Sequence, residues 1–556
     1  MSTTTASQSA TKRKRQEEPE TATDPQEITS LVCAELKCDL ECHNFVDTNS
    51  LLNVALTTKV LLEPALKALW RNQSSLRPLF HLLPEDLWGN VTVNVHDDDS
   101  ESDVDLTEPT EESDNDDPSP MVPLVLEFKR PSVPADLRRY RFYKEKVKSI
   151  TTGQYGELTN WMERKHIELL RLAFELHYPG EDYLPTPIFF DLRSCHEDRW
   201  IRCEILSRKL RAISIRCAYC PRKSDTEMLS TLSAKAPMLE QLRLSGGWSC
   251  ISALDTMSGF ERLQLFQCDQ VIKVTMLQSL ASLPHLLTLD ILLPLDPVPE
   301  SLAISSVSNH FPSLKSVHVA SNQLASLAQF MRLYATTSPI EDTNFSLDWS
   351  NGGRYTSPPE LPLNGLRSLL SGSAHCLTTF HFAGSYHSNQ VWSAWRSLTF
   401  REIRPLLLCK GLQSLHIDAG YMLENFDNSA LKAMAAAWPQ LQSLKLISFP
   451  IRMPMPCTIH CLKYMARFCP DLQSLSISFS IVDKRLKRAK LGPSGGQLSL
   501  KSLHVGLSTL SDDHVKTVAS FLLRLFPALG EISTAEDRRN KNRRAWEEVL
   551  RLLRSS

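Results

Sequence analysis

Between Leu210 and Thr534 the chain repeats one pattern: leucine, two variable residues, an aliphatic, one variable residue and a second aliphatic. Clear copies begin at Leu210 (LRAISI), Leu239 (LEQLRL), Leu286 (LLTLDI), Leu314 (LKSVHV), Leu412 (LQSLHI), Leu441 (LQSLKL), Leu472 (LQSLSI) and Leu500 (LKSLHV). Looser copies begin at Phe260 (FERLQL), Leu377 (LTTFHF) and Leu529 (LGEIST). The gap from Leu314 to Leu377 is about two periods and predicts a degenerate copy near Phe345, in IEDTNFSLDW. Within each copy the aliphatics alternate with the two-residue period of a strand, so they share one face.

Between the predicted strands the apolar residues fall at helical spacing, as in Ser429 to Leu441 and Asp512 to Leu529. Pro312, Pro439, Pro470 and Pro527 each stand just before a strand and end the helix that precedes it. A unit of one strand and one helix, recurring every ~29 residues, cannot bury its apolar face alone and must stack on its neighbours. The expected fold class is therefore α/β, with parallel strands on a concave face and helices on a convex one. Such an array is first of all a recognition surface.

The rest of the chain divides around that array. Residues 1–24 are polar and lack aromatics, which predicts a disordered tail. Lys12, Arg13, Lys14 and Arg15 within it read either as a nuclear import signal or as a solvated basic patch. Residues 25–71 predict three short helices: one carrying Ile28, Leu31, Val32 and Leu36 on a stripe, one after the capping oxygens of Asp47 to Ser50, and one beginning near Pro64. About half of this segment is apolar, more than so small a bundle buries, which marks a partner surface. A connecting region comes next (72–150). Inside it, twelve of the 21 residues from Asp97 to Asp117 are acidic, so a disordered insertion is expected over 97–117. It reads as a solvated loop or as a decoy for basic ligands. The repeat array is expected over 151–535. The last segment, 536–556, places Trp546, Val549, Leu550 and Leu553 at helical spacing with arginines opposite, which predicts a terminal cap.

Several of these segments resemble a known family. Pro25-Gln-Glu-Ile28 looks like the opening of an F-box, and Ala55 to Arg71 (ALTTKVLLEPALKALWR) is similar to the closing half of fungal F-boxes. Leu76 to Trp88 and Leu124 to Ile150 resemble the stretch beyond that closing half in fungal F-box proteins, and Cys469 to Ile477 (CPDLQSLSI) looks like the cysteine-containing leucine-rich repeat. Thr58 and Leu61 depart from the F-box pattern, which often has cysteine and an aromatic there. The resemblance implies a short helical F-box-like segment followed by a leucine-rich repeat solenoid. It further implies a substrate-recognition adaptor of a Skp–cullin–F-box ubiquitin ligase, bound to a Skp adaptor and through it to a cullin scaffold. Pro25, Ile28, Leu31, Leu51, Leu52, Leu56, Leu62, Pro64, Leu66 and Trp70 would meet the Skp adaptor. In the family a polar residue after each strand bonds the backbone at the turn. Asn322, Cys268, Ser385, Ser480 and Ser508 are its counterparts here. The alternatives are a helical cap on the first repeat and, for the whole chain, an interaction scaffold without ubiquitin-ligase coupling.

Bulk properties narrow the function. A net charge of −2 and a pI near 6.8 give no global sign of nucleic-acid binding. No apolar run approaches the ~20 residues of a membrane helix, and the amino terminus lacks the apolar core of a secretory signal. The expected location is cytoplasmic, nuclear or both, with the 14 cysteines reduced. No Gly-rich phosphate loop, G-x-S-x-G or H-E-x-x-H occurs, so no catalytic residue, cofactor or metal is expected. Cys217-x-x-Cys220 and the groups Cys33/Cys38/Cys42/His43 and Cys457/His460/Cys461/Cys469 read as packing rather than zinc ligands.

Binding residues come from the strand frame. The variable residue between the last two aliphatics of each copy faces the concave surface, where the unknown protein target is expected. These are Arg243, Gln264, Asp290, His318, His381, His416, Lys445, Ser476 and His504. Four of the nine are histidine, which reads as a stripe that titrates near neutral pH or as chance tolerance for short polar residues.

Overall fold

The computed structural model describes residues 48–57, 59–92, 124–151, 164–193, 206–217, 223–246, 259–293, 310–321, 339–348, 373–385, 397–418, 422–447, 455–481, 496–534 and 543–555, with a few short pieces between them. The import-signal tetrad, Pro25, Ile28 and Leu31, the acidic insertion, Cys220 and Asn322 lie outside the described residues.

Fifteen strands form one wholly parallel sheet in which spatial order follows chain order. They are β1 (Asn72–Gln73), β2 (Ser149–Thr151), β3 (Phe189–Arg193), β4 (Ala212–Cys217), β5 (Gln241–Gly246), β6 (Leu265–Val271), β7 (Thr288–Leu292), β8 (Ser316–Ser321), β9 (Asp342–Asp348), β10 (Thr379–Ser385), β11 (Ser414–Asp418), β12 (Ser443–Leu446), β13 (Ser474–Ile477), β14 (Ser502–His504) and β15 (Glu531–Ser533). Parallel neighbours need a crossover connection. Here it is supplied by helices including α3 (Pro134–Lys144), α4 (Arg164–His177), α5 (Lys223–Lys235), α6 (Val274–Ala281), α7 (Asn428–Ala437), α8 (Cys461–Phe468) and α9 (Val515–Leu525). Consecutive α7, α8 and α9 pack side by side. An α/β molecule with a sheet of this length is compatible with a solenoid.

The leucine pattern has a backbone cause as well as a packing one. The first leucine of a copy closes a turn, its N–H donating to the carbonyl three residues earlier. Leu239 bonds Ala236, Leu412 bonds Cys409, Leu441 bonds Trp438, Leu472 bonds Cys469 and Leu529 bonds Phe526. The next two N–H groups then share one carbonyl of the preceding strand, as Gln442 and Ser443 do on Gln413 and Gln473 and Ser474 do on Gln442. Register is thereby fixed unit by unit. Leu415, Leu444 and Leu475 come level, each buried, in one continuous core with the inward sides of the helices.

This hydrogen-bonding rule corrects one frame. Leu263 donates to Phe260, and Leu242 pairs with Phe266. The copy therefore starts at Leu263, three residues beyond the expected Phe260. Phe260 is the turn residue, and Cys268 is an inward core position level with Leu244 rather than a polar residue after the strand. Burial pushes its thiol up to about 12. The degenerate copy near Phe345 is present: Thr343 and Phe345 stand level with Val317 and Val319. Buried Thr343 keeps its hydroxyl satisfied on the carbonyl of Thr379, 3.3 Å away.

The sheet also starts earlier than residue 151, at Asn72. Preceding it are α1 (Thr48–Thr57) and α2 (Lys59–Arg71), which close on Ala55 and Ala65 as a small core of their own. Pro64 lies inside α2 instead of at the start of a helix. The junction with the sheet is tight. Trp70 stacks on Tyr143 at 4.6 Å, the Lys146 ammonium donates to Glu63 at 2.6 Å, and β1 pairs with β2. At the other end α10 (Arg543–Arg554) covers α9 with Ala545, Trp546 and Val549 inward and Arg543 and Arg544 outward.

Candidate binding face

One face of the sheet is packed against the core and the other carries polar side chains. Three rows run along the polar face. The middle row is Asp191, Ser214, Arg243, Gln267, Asp290, His318, Asn344, His381, His416, Lys445, Ser476, His504 and Ser533, each level with the next. Eight of the nine residues expected there are in it. Gln264 is not. It sits at the entry to β6, where its carbonyl receives Leu287 and Thr288, and Gln267 holds the place instead. Asn344 escapes the repeat pattern because its copy has threonine at an inward position. Asp191 escapes it because its copy has Pro187, not leucine, at the first place of the pattern.

Beside the middle row lies a row of short hydroxyls: Thr288, Ser316, Thr379, Ser414, Ser443, Ser474 and Ser502, interrupted by Asp342. The two rows are knitted together. Asp342 accepts from Ser316 at 3.0 Å and from His318 Nε2 at 3.0 Å. His381 bonds Ser414 across the rows at 3.1 Å, while His504 Nδ1 bonds Ser533 along the middle row at 3.0 Å and Ser502 donates to Ser474 along the hydroxyl row at 3.2 Å. On the other side of the middle row Asp418 stands 3.4 Å from Lys445 Nζ and 3.8 Å from His416 Nε2.

The charges are unevenly placed. Asp269, Asp290 and Asp342 lie over β6 to β9, with His318 among them. His381, His416, Lys445 and His504 lie over β10 to β14, with Asp418 as the carboxylate between them. The hydrogen bond to Asp342 raises the His318 imidazole against the opposing effect of burial. That same bond is the main force lowering Asp342. Asp290 is raised by burial. Burial is also the first cause lowering His381 and His504. The positive charge of His416 adds to it at His381, and that of Lys445 adds to it at both. At Asp418 burial pulls upward, but His416 and Lys445 together outweigh it and the carboxyl is lowered.

The His318–Asp342 pair makes a stability prediction with a definite sign. A raised histidine contributes stability that is complete below its ordinary value and is lost as pH rises through the raised one. A lowered carboxyl contributes above its ordinary value and loses it as pH falls through the lowered one. The difference in thermal midpoint between the native chain and His318→Asn should therefore be widest at about pH 5–6 and shrink toward zero above about pH 8. Thermal unfolding across that range checks it. A difference that grew with pH would reverse the assignment.

The second group of expected residues is at the amino-terminal end. Leu52, Leu56 and Leu62 are exposed on α1 and α2, Leu56 at 74%, and Val60 joins them at 64%. Pro64 and Leu66 are half-buried. Trp70 is half-buried and packs against Tyr143 at the junction with the sheet. The Leu51 side chain lies outside the described residues.

The cysteines and turn residues singled out in the sequence make the following contacts. Cys457 gives its thiol to the carbonyl of Ser478, and Cys469 gives its own to those of Ala435 and Trp438. The His460 ring stands edge-on to Phe521. Ser508 makes the turn bond expected of it, receiving the Phe479 N–H at 2.8 Å. Ser480 contributes backbone groups to a bridge with Thr458, and the side chain of Ser385 lies outside the described residues. Among the described residues no helix is long and apolar enough to cross a membrane. Comparison with known protein families and with curated proteins finds no match to this chain.

Proposed function

We propose that this protein is a substrate-recognition adaptor of a Skp–cullin–F-box ubiquitin ligase, with a leucine-rich repeat solenoid as its target-binding part. In this reading α1 and α2 dock the Skp adaptor, and the polar face of the sheet holds the target protein. The chain itself catalyses nothing. It raises the effective concentration of a target lysine beside a charged ubiquitin-conjugating enzyme. The observation that carries the reading is the exposure of Leu52, Leu56, Val60 and Leu62 on a helical pair that closes its own small core on alanines. Several large apolar side chains exposed on so short a helical pair mark a protein partner surface, and they fall in the segment that resembles an F-box. The tight junction at Trp70 supports the second half of the reading, since proximity catalysis needs adaptor and target held at a fixed separation.

The test is a pair of substitutions that leave that small core intact. Leu56→Asp with Leu62→Asp should weaken copurification with a Skp adaptor at least about a hundredfold, because each buries a charge in an apolar interface. The thermal midpoint should stay within a few degrees of the native chain. Retained copurification would reject the docking surface.

A further inference from the structure

Exposed apolar surface continues past the end of α2. Residues four apart on a helix share a face, so Leu62, Leu66 and Trp70 form one stripe along α2. Leu62 is 41% exposed, and Leu66 and Trp70 are half-buried. Trp70 lies 4.6 Å from the ring of Tyr143, which in turn meets the ring of Phe142 edge-on at 5.0 Å. Helix α3 sends Leu137 and Tyr140 into the core and leaves Phe142 outside it, 47% exposed. The Phe142 ring is also held in place. The Lys146 ammonium stands 4.1 Å over it and donates at 2.6 Å to Glu63 of α2. Lys146 is itself little exposed, and a cation over an aromatic face is attracted to it. One set of contacts therefore ties α2, Lys146 and Phe142 into a single surface at the junction with the sheet.

Size points the same way. Helix α1 has 10 residues and α2 has 13, so they are about 15 and 20 Å long. At a helix width of ~10 Å, one face of the pair presents roughly 350 Å². A stable, specific interface takes about 800 Å² from each partner, so the described pair falls short alone. Phe142 is the exposed apolar side chain that the α2 stripe leads to. Phenylalanine is enriched at protein interfaces, and a ring already fixed in orientation loses little freedom when it is covered. We propose that the surface docking the Skp adaptor runs from α2 across the junction onto α3, with Phe142 as an anchor on the body of the sheet. This contact rests on the docking reading above and lies outside the helical pair that carries that reading. An adaptor seated on both α2 and α3 fixes the helical pair against the first strands, which keeps the target at a set distance.

Titration calorimetry of purified Skp adaptor into the full chain tests the contact. Phe142→Ala should weaken binding about tenfold or more, and Phe142→Tyr, which keeps the ring, should not. Leu176→Ala, at a position of α4 that is 73% exposed, should leave binding unchanged and controls for loss of surface apolarity in general. Hydrogen exchange of the native chain needs no substitution: the adaptor should slow exchange over α3 as well as over α1 and α2. The double variant Leu56→Asp with Leu62→Asp separates this proposal from the reading it rests on. If that variant loses the adaptor while Phe142→Ala binds undiminished, or while exchange over α3 is unchanged, the extension onto α3 is overturned and the docking reading stands. If the native chain binds no adaptor, both are overturned together. A change in the mass of the free chain on Phe142→Ala would show that a second copy covers the ring, and would overturn the extension as well.

Discussion

Leu444→Ala should destabilise the chain by about 2–5 kcal/mol, while His416→Ala on the adjacent strand should be nearly neutral. Leu444 is 1% exposed, level with Leu415 and Leu475, and the helices lie over it. Removing its side chain deletes buried methyl groups and leaves a cavity that two rigidly registered neighbours cannot close. His416 points to the other face, and its Nε2 has no hydrogen-bond partner. Denaturant unfolding of both variants checks the pair. Costs in the reverse order would mean that the faces of every strand from β10 to β14 are exchanged, because the register links them.

Trp546→Ala should cost about 3–5 kcal/mol, and its damage should be local. Trp546 is buried at 1% exposure. Its Nε1 donates to the carbonyl of Ser508 at 2.9 Å and its ring meets Phe479 edge-on. The side chain is thus the pin that holds α10 over the last units. In a stacked array each unit contacts mainly its neighbours, so loss of a cap frays the end first. Hydrogen exchange should lose protection at β14 and β15 well before β4 and β5. Trp546→Phe keeps most of the packing and loses the hydrogen bond, so its cost should be about 1–2 kcal/mol. Uniform loss of protection along the sheet would show that the cap does not act as an end unit.

Legibility in the sequence differs from element to element, and for physical reasons. Wherever leucine fills the first place and aliphatics the inward places, as at Leu412, Leu441 and Leu472, strand, facing and neighbour all come from the spacing. The frame slips at Phe260 because FERLQLFQC offers apolar residues at two settings three apart. The choice between them rests on a turn hydrogen bond, which has no side-chain signature. The strands Asn72–Gln73, Ser149–Thr151 and Phe189–Arg193 escape the pattern because they enter the sheet with few or no aliphatics at the repeat spacing. Trp70 reads as one more apolar face residue in a helix, and only the three-dimensional position of Tyr143 makes it a junction residue. The polar face is legible as a set of residues but not as a site. That His318 meets Asp342, that Asp418 serves two cations and that two serines separate Lys445 from His504 are consequences of register between strands far apart in sequence.

The central claim is that this chain joins a Skp adaptor to a target, and the most direct measurement is the mass in solution of the purified full chain mixed with purified Skp adaptor. Light scattering behind size exclusion should report a one-to-one complex that survives the column, and Leu56→Asp with Leu62→Asp should return both components to their separate masses. Two separate peaks for the native chain would contradict the account and leave the long parallel sheet as an interaction scaffold with no ubiquitin ligase attached.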